Sequence, residues 1–118
     1  MVKQQTISKV IIMRTEKYGE LIGSFDRVIV VFYDGNNNSD HFERNHRLIA
    51  LAFNGVARVY RVDVSIESNK ELSSLLGIDR FPSYAIYVDG KGVKKLYGQV
   101  SCDQMQEYLQ LETVEEKH

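Results

Sequence analysis

Short apolar runs alternate with amphipathic stretches along the chain, and the spacing of the hydrophobic positions predicts a regular succession of strands and helices. Ser8–Met13 ("SKVIIM") is β-branched, as a strand prefers. Thr15–Ile22 ("TEKYGELI") follows as a short helix with Thr15 placed to cap it. Arg27–Tyr33 ("RVIVVFY") is apolar at almost every position. Such a strand is buried on both faces, which puts it at the centre of a sheet with helices above and below. From Ser39 to Phe53 the period becomes helical: Phe42, Ile49 and Phe53 recur at i, i+7 and i+11. Asp40/Arg44 and Glu43/Arg47 fall at i, i+4 on exposed faces, and Asn54-Gly55 ends the element.

The second half continues in the same manner. Ala57–Val64 ("ARVYRVDV") is expected as another buried strand, and Asn69–Gly77 ("NKELSSLLG") as a helix stopped by its glycine. Ser83–Asp89 ("SYAIYVD") and Val93–Gly98 ("VKKLYG") form an antiparallel hairpin across the Gly-rich connection "DGKG". A last helix starts at Ser101, with Gln104 three residues on in a capping-box arrangement, and runs over "CDQMQEYLQL". The charged tail 112–118 is expected to fray. This order predicts an α/β fold with a mixed central sheet of about five strands and about four helices.

Pro82, the only proline, stands directly before a strand in "GIDRFPSYAIYV". There it is tolerated, because the strand's hydrogen-bond ladder has barely begun. With this segment the whole pattern resembles the thioredoxin family. The resemblance rests on "VIVVFY" as the central strand, "YRVDV" with Asp63, "LLGIDRFPSYAIYVDG" with Pro82 at the family's cis-proline position, Gly98 after the last strand, and the Ser101 helix. It covers nearly the whole chain. It implies a thioredoxin-like three-layer α/β/α sandwich forming one domain over residues 1–118.

The family's catalytic motif is missing. Where thioredoxins carry W-C-x-x-C after the central strand, ungapped alignment from Phe32 gives Asn36-Asn37-Asn38-Ser39-Asp40. Cys102 is the only cysteine, so neither an intramolecular disulfide nor a dithiol site can form. Dithiol exchange needs a low-pKa thiolate at a helix N-terminus and a second thiol to resolve the mixed disulfide, and amides and hydroxyls supply neither. Val31 also stands where many family members keep a buried acid. The resemblance therefore implies a redox-inactive member.

Composition narrows the remaining classes. With 43% hydrophobic and 26% charged residues the usage is ordinary for a globular domain. A net charge of −1, from 15 basic and 16 acidic residues, gives no field favouring nucleic acid or an anionic membrane. No apolar run approaches the roughly 20 residues of a membrane span, and "MVKQQTISKV" lacks the apolar core of a signal peptide, so a cytoplasmic protein is expected.

Other chemistry in the stretch Phe32–Phe42 is weak. Asp34, Asn36, Asn38 and Asp40 imitate the alternate ligands of a calcium loop, but Ser39 replaces the turn glycine and Asn45 the bidentate glutamate. Asp, Gly, Asn and Ser also suit tight turns and caps, with Ser39 or Asn38 as N-cap of the helix that follows. His41 and His46 lie five apart, off the spacing that places two ligands on one helical face, and His46 is expected to be partly buried and hydrogen-bonded. Thiolate stabilisation by Tyr33 or Ser39, as in glutathione transferases, lacks the added helical domain of such enzymes. No cofactor or metal is expected.

Two functions stay in view. The first is a non-catalytic interaction module that binds a polypeptide or partner protein in a groove near Pro82 and the loops at Asp34–Asp40 and Gly98–Ser101, through Tyr33, Asn36, Asn37, Asn38, Arg80, Phe81, Pro82 and Gly98, with Tyr84 as a further aromatic anchor. The second is a single-thiol protein acting through Cys102. As the first residue of the last helix, that thiol feels the favourable end of the helix dipole, opposed by Asp103.

Overall fold

The computed structural model describes residues 9–10, 15–37, 39–98 and 100–109. Its strands are β1 (Lys9–Val10), β2 (Arg27–Tyr33), β3 (Arg58–Asp63), β4 (Ser83–Val88) and β5 (Lys91–Tyr97). The helices are α1 (Thr15–Ile22), α2 (Asp40–Ala52), α3 (Glu67–Leu75) and α4 (Cys102–Leu109). The strands form one sheet in the order β1-β3-β2-β4-β5. β1, β3 and β2 run parallel, while β4 is antiparallel to β2 and β5 to β4. The strand expected over Ser8–Met13 is described only at Lys9–Val10, and the Thr15 side chain, Asn38 and the tail 112–118 lie outside the description.

β2 is the centre of the molecule. Val28 through Tyr33 are all buried, and alternate side chains serve opposite layers. Ile29, Val31 and Tyr33 join Phe42, Ile49 and Phe53 of the α2 region and Met105 and Leu109 of α4. Val28, Val30 and Phe32 join Tyr18 of α1, Leu72 of α3 and Val62 of β3. Arg27 fixes the start of the strand by donating from Nε to the Leu109 carbonyl at 2.8 Å.

Several boundaries differ from the sequence expectation, each for a local reason. The hairpin turns on two residues, Asp89 and Gly90, whose φ angles of 54° and 81° suit a tight right-twisted connection. β5 therefore starts at Lys91, not Val93, and takes in Gly92, with a register shift opposite Ile86/Tyr87 that accommodates the extra residue. α3 starts at Glu67, two residues before the expected Asn69. Its N-cap, Ile66, makes no side-chain cap bond, so the usual start signal is absent from the sequence.

β3 is less buried than expected. Val59 and Val62 are buried, but Tyr60, Arg61 and Asp63 are only half-buried and Arg58 is exposed. Glu43 takes Arg61 of β3 in a two-pronged ion pair of 3.0 and 2.7 Å, a contact between helix and sheet that the i, i+4 pattern along α2 does not reveal.

The opposite layer is pinned by a pair of phenols. Tyr18 of α1 and Tyr87 of β4 share a hydrogen bond of 2.6 Å, their rings edge to face with centroids 5.9 Å apart. Both residues are buried, and desolvation raises both pKa values. Tyr18→Phe leaves the Tyr87 hydroxyl without its partner and should lower stability by about 1–3 kcal/mol in denaturant unfolding. Adding Tyr87→Phe should recover much of that loss; equal and additive losses would contradict a coupled pair.

Candidate functional site

At the C-terminal end of β2 the chain leaves the sheet at Tyr33 and makes a single 3₁₀ turn, Gly35–Asn37, before entering α2. Asp34 organises that turn. Its Oδ1 accepts the Asn36 N–H at 3.0 Å and its carbonyl accepts the Asn37 N–H at 3.0 Å, a pattern aspartate favours in turns. Ser39 is the N-cap, its Oγ accepting the Phe42 N–H at 3.1 Å.

Asp63, at the end of the neighbouring β3, clamps this turn from the side. Its Oδ1 accepts the Gly35 N–H at 2.8 Å, the Ser65 N–H at 2.9 Å and the Ser65 hydroxyl at 2.8 Å. A Cβ on Gly35 would overlap the Asp63 carboxylate, so the glycine is there for the close approach. Burial pushes the Asp63 carboxyl up, but the hydrogen bonds from Ser65 and Gly35, with the Arg61 guanidinium, outweigh it and hold the group below the usual carboxylate range.

The other wall comes from the entry to β4. The Phe81–Pro82 peptide bond is cis. Gly98, with φ of 89°, donates its N–H to the Pro82 carbonyl at 2.9 Å, and the Ser83 hydroxyl donates to the Arg80 carbonyl at 2.6 Å. The Phe81 amide and carbonyl make no hydrogen bond with any described residue.

Between the two walls lies a cleft of about 170 Å³. Tyr33, Asn37, Phe81 and Pro82 line it, with Asp34 and Ser39 of the Asp34–Asp40 loop, and with Phe42, which sequence analysis did not assign to a groove. Arg80 and Asn36 do not line it, and Arg80 lies instead over the Tyr97 ring at 5.0 Å. Gly98 stands behind Pro82. Tyr84, offered as an anchor, is fully buried core, its hydroxyl within 3.4 Å of the Asn45 amide. Asn38 lies outside the described residues. Among the described residues no group of three or more His, Cys, Asp or Glu side chains is placed to hold a metal ion.

Behind the cleft is a stacked column of rings. Tyr33 and Phe42 stack at 5.4 Å, and Phe42 and His46 at 6.1 Å. The Arg61 guanidinium lies 4.5 Å from the Tyr33 ring centre while its two outer nitrogens hold Glu43. His46 is buried rather than partly exposed, and desolvation, joined by the nearby Arg61 charge, lowers its pKa to about 4.

Cys102 does not have the environment of a reactive thiol. It is half-buried against the α2/α4 core, and burial together with Asp103 pushes its pKa up. Ser101 and Gln104 do form the expected reciprocal cap, with N–H contacts of 3.2 and 3.0 Å.

Solved structures share this architecture. A mutant thioredoxin from Halobacterium salinarum superposes with a TM-score of 0.70 at 18% identity, over 96% of this chain and 100% of its own. Spinach chloroplast thioredoxin f gives 0.68 at 18% identity, over 93% and 96%. Oxidised thioredoxin from Plasmodium falciparum gives 0.67 at 17%, over 86% and 94%. No protein-family model and no curated protein matches the sequence. The chain has the thioredoxin-like fold, and it has one cysteine where a dithiol mechanism needs two.

Two outcomes test the geometry. Between pH 6.5 and 4 the unfolded chain binds a proton at His46 that the folded chain does not, so stability should fall as pH drops through that interval, by on the order of 2–3 kcal/mol. A further loss should follow below about pH 4, where the unfolded Asp63 carboxyl protonates first. Denaturant midpoints measured against pH should show both, and His46→Leu should remove the first slope only. Gly35→Ala should cost about 1–3 kcal/mol through overlap with Asp63 and should shift the Ser65 amide resonance; a neutral substitution would contradict the clamp.

Proposed function

We propose that this chain is a non-catalytic, cytoplasmic interaction module that binds an extended polypeptide or partner protein in the cleft between the Asp34–Ser39 loop and the Phe81–Pro82 turn. The observation carrying the reading is the pairing of an open, aromatic-floored cleft with a Phe81 backbone that no described residue hydrogen-bonds. An extended chain laid along Phe81 can pair with its amide and carbonyl as an added strand does, while a side chain enters the cleft over Tyr33 and Phe42. This chain keeps the scaffold it shares with the thioredoxins without a second thiol. The balanced charge favours protein over nucleic acid or anionic membrane, and no helix among the described residues is long and apolar enough to cross a membrane. The alternative, thiol handling by Cys102, draws no support from a half-buried thiol with a raised pKa.

Asn37 is exposed at the cleft rim, so Asn37→Trp should obstruct the cleft and change stability by no more than about 0.5 kcal/mol. In affinity capture from native lysate, partners retained by the wild type should be lost with Asn37→Trp and kept with Cys102→Ser. Loss with Cys102→Ser alone would transfer the function to the thiol, and unchanged capture by a folded Asn37→Trp protein would remove it from the cleft.

A further inference from the structure

The cleft has a chemical bias of its own. At about 170 Å³ it is smaller than the roughly 300–1,000 Å³ typical of small-molecule sites, so it suits a single side chain of a longer partner. Three of its lining residues, Tyr33, Phe42 and Phe81, are aromatic, and a fourth, Asp34, brings a carboxylate. Among the described residues no Lys, Arg or His lines it. Asp34 is half-exposed; its Oδ1 is engaged by the Asn36 amide, while its Oδ2 accepts no hydrogen bond from a described residue.

The charges around the cleft point the same way. Asp40 lies in the first turn of α2, and Asp63 closes β3 beside Tyr33. Arg61, whose guanidinium lies 4.5 Å from the Tyr33 ring centre and 5.8 Å from that of Phe42, is bound by both oxygens of Glu43, which leaves that pair without net charge. Arg80 is drawn aside onto Tyr97. Aromatic faces attract cations through their quadrupole, and a carboxylate beside them adds Coulomb attraction in a partly desolvated setting. A long basic side chain meets both demands, with its methylene stem on the rings and its charged head at the carboxylate.

We propose that the cleft selects a basic side chain, arginine or lysine, presented by an extended partner polypeptide. The inference rests on the polypeptide-binding reading above and goes beyond it by assigning the specificity to Asp34.

The test uses three extended heptapeptides identical except at the centre, which carries arginine, its neutral isostere citrulline, or leucine. Each is titrated into isotopically labelled full-length protein at low salt, with amide shifts at Tyr33, Asn37 and Phe81 as the readout. The arginine peptide should bind about tenfold more tightly than the citrulline peptide, the scale expected for a partly desolvated cation on aromatic rings. Asp34→Asn keeps the Oδ1 acceptor for the Asn36 amide, so the turn should persist, and it should bring that ratio close to one. Equal binding of arginine and citrulline peptides, or an arginine preference that survives Asp34→Asn, overturns the specificity and leaves the cleft a neutral polypeptide site. If none of the three peptides moves the cleft resonances, the inference falls together with the reading on which it rests.

Discussion

The double burial of β2 is the constraint on which the rest of the structure depends. Six consecutive residues, Val28 through Tyr33, have to be removed from water on both faces. That requires two helical layers, and it requires β3 and β4 to satisfy the strand's backbone on either side. Once that is done, the end of β2, the end of β3 and the entry to β4 meet at one edge of the sheet. Tyr33 pairs in register with Asp63, and Phe32 with Ser83. The cleft is a consequence of that convergence.

What occupies the convergence distinguishes this chain from the thioredoxins whose fold it shares. Asn36 and Asn37 make a turn there, held by Asp34 from within and by Asp63 from the side. One oxygen of each carboxylate is engaged by backbone amides, which fixes the shape of the loop. The aromatic column beneath runs from Tyr33 through Phe42 to His46, with the guanidinium of the Arg61–Glu43 pair over Tyr33. In the proposed binding role, a pre-formed cleft spends little of its binding energy on ordering.

Much of the fold was legible because its signals are local. The apolar run of β2, the Ser39 cap, the Ser101–Gln104 box and the sequence around Pro82 each lie within a few adjacent residues. The cleft was legible in part: Tyr33, Asn37, Phe81 and Pro82, named together from the sequence, line it, since all four flank recognisable strand ends. Phe42 was assigned only to the helical pattern, although its ring also faces the cleft. Asp34 was read as a turn residue of the groove loop and weighed as a metal ligand, because its turn-forming bond to Asn36 looks the same in sequence as a ligand spacing. Arg61 was hidden inside an apolar strand, and its partner Glu43 is far away in sequence. Gly35 gave no sign that the Asp63 carboxylate would fill the space of a side chain. These contacts join β3 to the β2–α2 connection, and no periodicity along either segment encodes them.

The central claim is that the Phe81 backbone and the cleft beside it form the binding edge of the molecule. Residue-resolved hydrogen exchange, compared between the free protein and the protein saturated with a captured partner or an extended peptide, tests it most directly. The Phe81 amide should exchange rapidly in the free protein and slow by at least about tenfold on binding, while the amides of α3 stay unchanged. Protection that appears instead around the exposed Leu48 and Leu51 of α2 or Leu75 of α3, with Phe81 unaffected, would contradict the account.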